Sequence, residues 1–231
     1  GILALLSSCV SVPSDGPVRV VDQGHDLGQS STRFAPAGPQ KGASKTDILH
    51  GFLESMLAFP ESGATSNLFL SPYAIRSWDP QAGSLVYSAA RVEAVVAQSD
   101  LLLALDVTAQ LDAQGRLVGS SKSHTIDIQF VKVDGEWRID EAPAGVMVSE
   151  DFFTDHMRPF ELMFFDSSRS RLVSEPIHAV ASDKLATTLM LALAQGPSKG
   201  DAGWQQSFVP ADPYTQAPVP LIDGTAHVEV S

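Results

Sequence analysis

Ile48, Leu49, Phe52, Leu53, Met56 and Leu57 recur in pairs four residues apart behind Ser44 and Asp47, the N-cap and third helical residue of a capping box. This spacing predicts an amphipathic helix. Ser71 followed by Pro72 at a first helical position predicts a shorter helix through Ile75 to Trp78, stopped by Asp79-Pro80. From Tyr87 the period shortens. Segments near Arg91 to Val96 and Leu101 to Leu111 are rich in β-branched and aliphatic residues, and Asp112-Ala113-Gln114-Gly115 supplies a turn. The clearest alternation runs from His124 to Asp140: Ile126, Ile128 and Phe130 interleave with Asp127 and Gln129, and Asp134-Gly135 turns the chain toward Trp137 and Ile139. A β-hairpin with one apolar face is expected. Helices first and a curled antiparallel sheet afterwards predict an α+β layer with the helices over the concave side.

A second unit is expected after Ala142-Pro143-Ala144-Gly145. Phe160 to Phe165 reads as a buried strand, Ser167 to Ser170 as a turn, and Leu172 to Val180 as a returning strand that Pro176 places at an edge or bulge. Ser182 is the expected cap of a helix with a Leu185, Leu189, Ala192 and Leu193 stripe, ended by Gly196-Pro197. Leu221-Ile222, the turn pair Asp223-Gly224, and Ala226, Val228 and Val230 lead into a last strand.

Ahead of these elements the pattern is different. Residues 10–43 hold Gly and Pro at about twice the density of the remainder, with little periodicity beyond a short strand candidate at Val18 to Val21, so a tether is expected. Before it, Ile2 to Leu6 is apolar and passes through Ser7-Ser8 to Cys9, the only cysteine. This arrangement resembles the end of a secretory leader and its lipoprotein box: Leu6, Ser7 and Ser8 admit a peptidase, and the Cys9 thiol receives a diacylglyceryl group, with acyl groups such as palmitate following. Two or three acyl chains make a durable anchor where one does not. The alternative is a free, buried thiol.

Composition narrows the chemistry. Fifteen Lys and Arg against 27 Asp and Glu give a net charge of −12, the wrong sign for a phosphate-binding surface, so nucleic acid is set aside. One Cys excludes a disulfide framework or a multi-thiolate zinc site, and six scattered His show no ligand spacing; no metal and no cofactor is expected. Gly196-Pro197-Ser198-Lys199-Gly200 has the letters of a nucleophile elbow, but a helix leads in where a strand is needed. Asp155-His156 and Glu175 with His178 are acid–base pairs without supporting signature. A cavity lined by Trp78, Tyr87, Phe130 and Trp137, with Asp106 or His124 reaching a ligand, is the remaining alternative.

Cys9-Val10-Ser11-Val12-Pro13 with Gly16-Pro17-Val18, Gly38-Pro39-Gln40-Lys41-Gly42-Ala43-Ser44, Gly51-Phe52-Leu53-Glu54-Ser55-Met56, Leu70-Ser71-Pro72, Ser77-Trp78-Asp79-Pro80, Asp134-Gly135-Glu136-Trp137-Arg138-Ile139, Arg158-Pro159 and Phe164-Phe165-Asp166 follow one another along the chain. In this order they resemble the actinobacterial lipoprotein family LpqB. The resemblance implies a signal remnant at 1–8, lipidated Cys9 and tether over 9–43, a cone-shaped nuclear-transport-factor-like domain over 44–148, and a GerMN domain over 149–231, incomplete at its C-terminal side. It also implies a lipid-anchored protein on the extracytoplasmic face of the cell membrane. Such a protein is a non-enzymatic accessory to a two-component system, the Mtr system, and its partner is the outer domain of a sensor histidine kinase. No catalytic residues come with the family. The runner-up function is a small-ligand binder or hydrolase using the cone cavity.

Overall fold

The computed structural model describes residues 36–57, 63–94, 101–182, 184–200, 203–209, 219–222 and 225–228. Leu6, Ser7, Ser8 and Cys9, the strand candidate at 18–21, Val96, Asp223-Gly224 and Val230 lie outside the described residues.

Helix α1 (Lys45–Met56) starts where its cap chemistry predicts. Ser44 Oγ accepts the Asp47 N–H at 3.2 Å and Asp47 Oδ2 accepts the Ser44 N–H at 3.1 Å, so donors that the first turn leaves without partners are bound reciprocally. Its apolar stripe, Ile48, Leu49, Phe52, Leu53 and Met56, is buried. The short α2 (Gly63–Asn67) was not expected; Ser66 Oγ lies 2.8 Å from Ser55 Oγ, tying it to α1 inside the core. In α3 (Pro72–Ser77), Ser71 Oγ accepts the N–H groups of Tyr73 and Ala74 and donates to Asp140 Oδ1 at 2.6 Å.

These helices cover a five-stranded sheet of β1 (Ser84–Ala94), β2 (Leu101–Leu111), β3 (Leu117–Val133), β4 (Glu136–Glu141) and β5 (Val146–Ser149), in the order β4-β3-β2-β1-β5. Four strands are antiparallel neighbours, as expected. β5 corrects the all-antiparallel expectation, because it lies parallel to β1 with Val146 opposite Ser84. Its run of four residues is too short to announce itself by alternation, and parallel pairing demands the long crossover that β2 to β4 provide. Register shifts around Tyr87 in β1 and after Gln129 in β3 bend the strands and curl the sheet. Leu101, Leu103, Leu105 and Val107 of β2 turn inward beneath α1, packing with Phe52, Met56, Phe69, Ile128 and Ile139.

Helix α4 (Glu150–His156), also unexpected, is capped by Ser149, whose Oγ accepts the Phe152 N–H, and Phe152 and Phe153 pack against this first core. The expected domain boundary at 148/149 falls inside β5, between Val148 and Ser149, one residue before α4 begins. Next come β6 (Met157–Asp166), β7 (Leu172–Val180), α5 (Leu185–Gln195) and β8 (Gln205–Gln206), with strand order β7-β6-β8. Pro176 sits on the edge strand β7, where a missing N–H is tolerated. The expected buried run at 160–165 is buried on one face only: Leu162 and Phe164 join Ile177 and Ala192 of α5 in a second core, while Met163 and Phe165 face outward. A helix covers one side of this sheet, so its strands alternate. Ser182 is not the N-cap of α5. Lys184 holds that position with no side-chain bond, and Ser182 Oγ accepts the Lys184 N–H one step earlier. Gly196 ends α5 at φ +83°. A small ladder, β9 (Leu221–Ile222) with β10 (Thr225–Ala226), follows. Among the described residues no helix is long and apolar enough to cross a membrane.

Candidate functional site

The residues that bring the two cores together come from the turn between β2 and β3. Asp112 Oδ1 accepts the N–H groups of Gln114 and Arg116, each at 2.9 Å, which closes the turn, and Gly115 completes it at φ +84°. The Gly115 carbonyl then accepts the His178 N–H at 2.7 Å, occupying a donor on the open edge of β7. A Cβ at position 115 would stand 2.2 Å from the His178 carbonyl oxygen, so only glycine permits this approach.

Arg116 enters the seam beside it. Its Nε donates to Glu175 Oε1, its Nη2 to the Gly196 carbonyl at 2.6 Å, and its Nη1 to Gln114 Oε1 at 3.3 Å. Both oxygens of Glu175 also accept the Ser198 N–H at 3.2 Å. Arg116 and Glu175 are buried at 6% and 7% exposure, a level that charges reach only when paired and hydrogen-bonded as these are. On the opposite face of β7, the His178 ring stacks 5.2 Å from that of Phe153, joining α4 to the second sheet. The seam therefore has an ionic contact, a backbone contact and an aromatic contact, spread over the β2–β3 turn, α4, β7 and the end of α5.

The expected chemical candidates fall differently. Glu175 and His178, three residues apart on a strand, point to opposite faces, and the carboxylate is committed to Arg116 and Ser198. Asp155 and His156 are exposed at the end of α4, with His156 against Phe152. Ser198 follows a helix and a glycine cap, not a strand. The aromatic residues of the expected cavity are packed: Trp78 donates its indole N–H to the Gly145 carbonyl at 3.1 Å and meets Phe52 edge-on, while Lys45 lies over Trp137 at 4.2 Å and over Phe130 at 5.3 Å. Burial pushes the Tyr87 phenol up, with Glu54 adding to it. Asp106 is on the outer face of the sheet, held by Arg91 at 2.9 and 3.0 Å and by Ser123 at 3.2 Å, and the Arg91 bond keeps its carboxyl below the ordinary range. His124 stands opposite inward-facing Leu105 and is half-buried. The two best-formed depressions among the described residues are shallow, one beside Lys41 and Glu136, the other beside Asp106 and Lys122.

The family model described as lipoprotein LpqB, N-terminal domain, matches residues 38–154. This chain belongs to the LpqB lipoprotein family. The LpqB match takes in α1 to α3, all of the curled sheet and the start of α4. Thus the Gly115–Arg116 side of the seam lies inside the matched region, and Glu175, His178 and Gly196 lie beyond it. Among similar proteins, lipoprotein LpqB of Thermobifida fusca is 29% identical over 99% of this chain and 39% of its own length. That of Cutibacterium acnes is 28% identical over 84% of this chain and 33% of its own. LpqB of Mycobacterium bovis is 26% identical over 96% and 38% respectively. The chain thus spans less than two-fifths of the length of these LpqB relatives. No solved structure matches it.

Proposed function

We propose that this chain is the membrane-proximal part of an accessory lipoprotein: Cys9 carries the lipid, the folded units stand on the extracytoplasmic face of the cell membrane, and they act on a partner without catalysing a reaction. The partner is the outer domain of a sensor histidine kinase of a two-component system. Residues 149–231 are read as a GerMN domain. Membership of a lipoprotein family supports the anchor, as does the Leu6-Ser7-Ser8-Cys9 string.

The observation that carries the surface role is the Arg116–Glu175 seam. It fixes one unit against the other, as a docked shape requires, and it uses groups that a catalyst would need free. The buried side chains between the helices and the curled sheet pack as one apolar cluster, which favours this reading over ligand binding there. Purified chain mixed with the purified outer domain of the kinase is the test, read by calorimetry or pull-down. Saturable association that Arg116→Ala weakens is expected. No association at high micromolar concentration removes the kinase role.

A further inference from the structure

The end of the second unit farthest along the strands from the seam gathers arginines and exposed rings in an acidic chain. His178, at the seam, pairs with Pro159, whereas Leu172, six residues away and on the order of 20 Å along the strand, pairs with Phe165 at the hairpin tip. Phe165 and Leu172 share the face that α5 leaves uncovered, and Phe208 meets Phe165 edge-on with ring centres 5.1 Å apart. Leu172 is 58% exposed, Phe208 53% and Trp204, beside β8, 46%.

Cations surround these groups. Arg169 occupies the turn at φ +60°, a left-handed position that Asn or Gly would fill with less strain, and its guanidinium lies 5.3 Å from the Phe208 ring centre. Arg171 is exposed next to it. Asp166, the one acid of residues 163–172, is taken up by the turn itself: it accepts the Ser168 hydroxyl and the N–H groups of Ser170 and Arg171. The tip therefore offers two arginines and a set of exposed rings in a chain of net charge −12.

We propose that this tip docks on an anionic lipid surface, with Arg169 and Arg171 against headgroup phosphates and Phe208, Trp204 and Leu172 at the boundary with the acyl chains. Aromatic rings and arginines are the side chains that this boundary accommodates. The acidic remainder is repelled by the same surface, which orients the chain tip-first. The inference rests on the lipid-anchored reading only for which membrane is at hand. Cys9 precedes Pro36 by 27 residues, a length that reaches at most about 97 Å, so the anchor and the tip can sit on one surface.

The test uses the full chain with Cys9→Ala, free of acyl groups, and vesicles of phosphatidylglycerol with phosphatidylcholine carrying brominated acyl chains. Tryptophan quenching that Trp204→Phe abolishes is expected on these vesicles and not on phosphatidylcholine alone. Arg169→Asn with Arg171→Asn should weaken it by about fivefold per cation, and Asn suits the left-handed turn, so folding is kept. Equal quenching on neutral vesicles, quenching that survives Trp204→Phe, or quenching indifferent to the two arginines would overturn the proposal. Self-association through the tip without vesicle binding would also overturn it, in favour of a second copy of the chain. Because the protein tested has no lipid, a failure of Cys9 anchoring in cells leaves this result standing, and the reverse holds.

Discussion

Arg116 reaches across the seam to Glu175, 59 residues further along the chain, and both side chains are nearly sealed from water, at 7% and 8% exposure. Removing one partner leaves the other charge buried without compensation. Glu175→Gln or Arg116→Met alone should therefore lower stability by about 3–5 kcal/mol, whereas Arg116→Met with Glu175→Met should recover most of it. Chemical denaturation of the two single variants and the double variant measures the coupling. Additive losses would mean that the pair is not one unit.

Gly115 and Gly135 supply a matched comparison. Both have φ near +84°, at +84° and +85°, but a Cβ at Gly135 meets nothing within 4 Å, whereas at Gly115 it meets the His178 carbonyl at 2.2 Å. Gly135→Ala should cost about 1–2 kcal/mol from the backbone alone. Gly115→Ala should cost about 3 kcal/mol or more, because it adds overpacking at the seam. Equal midpoints in urea would show that the turn does not press on β7.

Much of the first unit was legible in the sequence because its signals are local. Ser44 with Asp47, Ser71 with Pro72, and the aliphatic and β-branched content of Leu101 to Leu111 each determine an element within a few residues. The strand β1 begins at Ser84, earlier than expected, because Ser88-Ala89-Ala90 has little strand propensity and the pairing with β2 imposes it. Helix α4 did have readable signs, Ser149 as cap and Glu150 and Asp151 in its first turn, but it is only seven residues long. The seam was not legible. Arg116 reads as a turn flank and Glu175 as one more acid, and nothing short of the tertiary fold joins residues 59 apart.

Ser71 links a helix start to the sheet, since it caps α3 and also donates to Asp140. Ser71→Ala should destabilise the first unit by about 1–2 kcal/mol, and Ser71→Thr by less. Hydrogen exchange at Tyr73 and Ala74 is the local readout; unchanged protection there would contradict the cap.

Acid should act on the outer face of the sheet in a defined direction. The Arg91 bond, with Ser123 assisting, lowers the Asp106 carboxyl below its ordinary 3.8, so the folded state binds this proton less readily than the unfolded chain. That contribution is present above the unfolded value and fades as pH falls through the lower folded one, in the range under about 4. Arg91→Ala should return the Asp106 titration, followed by carboxyl NMR shifts, toward 3.8. Because Arg91 and Asp106 are 55% and 38% exposed, high salt should shrink the effect.

The anchored, docked role depends first on the state of one sulfur. Intact-mass spectrometry of the native protein extracted from membranes reads that state directly. The account predicts a mature chain beginning at Cys9, with a thioether-linked diacylglyceryl group and an acylated amino end. Native protein with a free Cys9 thiol and residues still attached ahead of it would contradict the account.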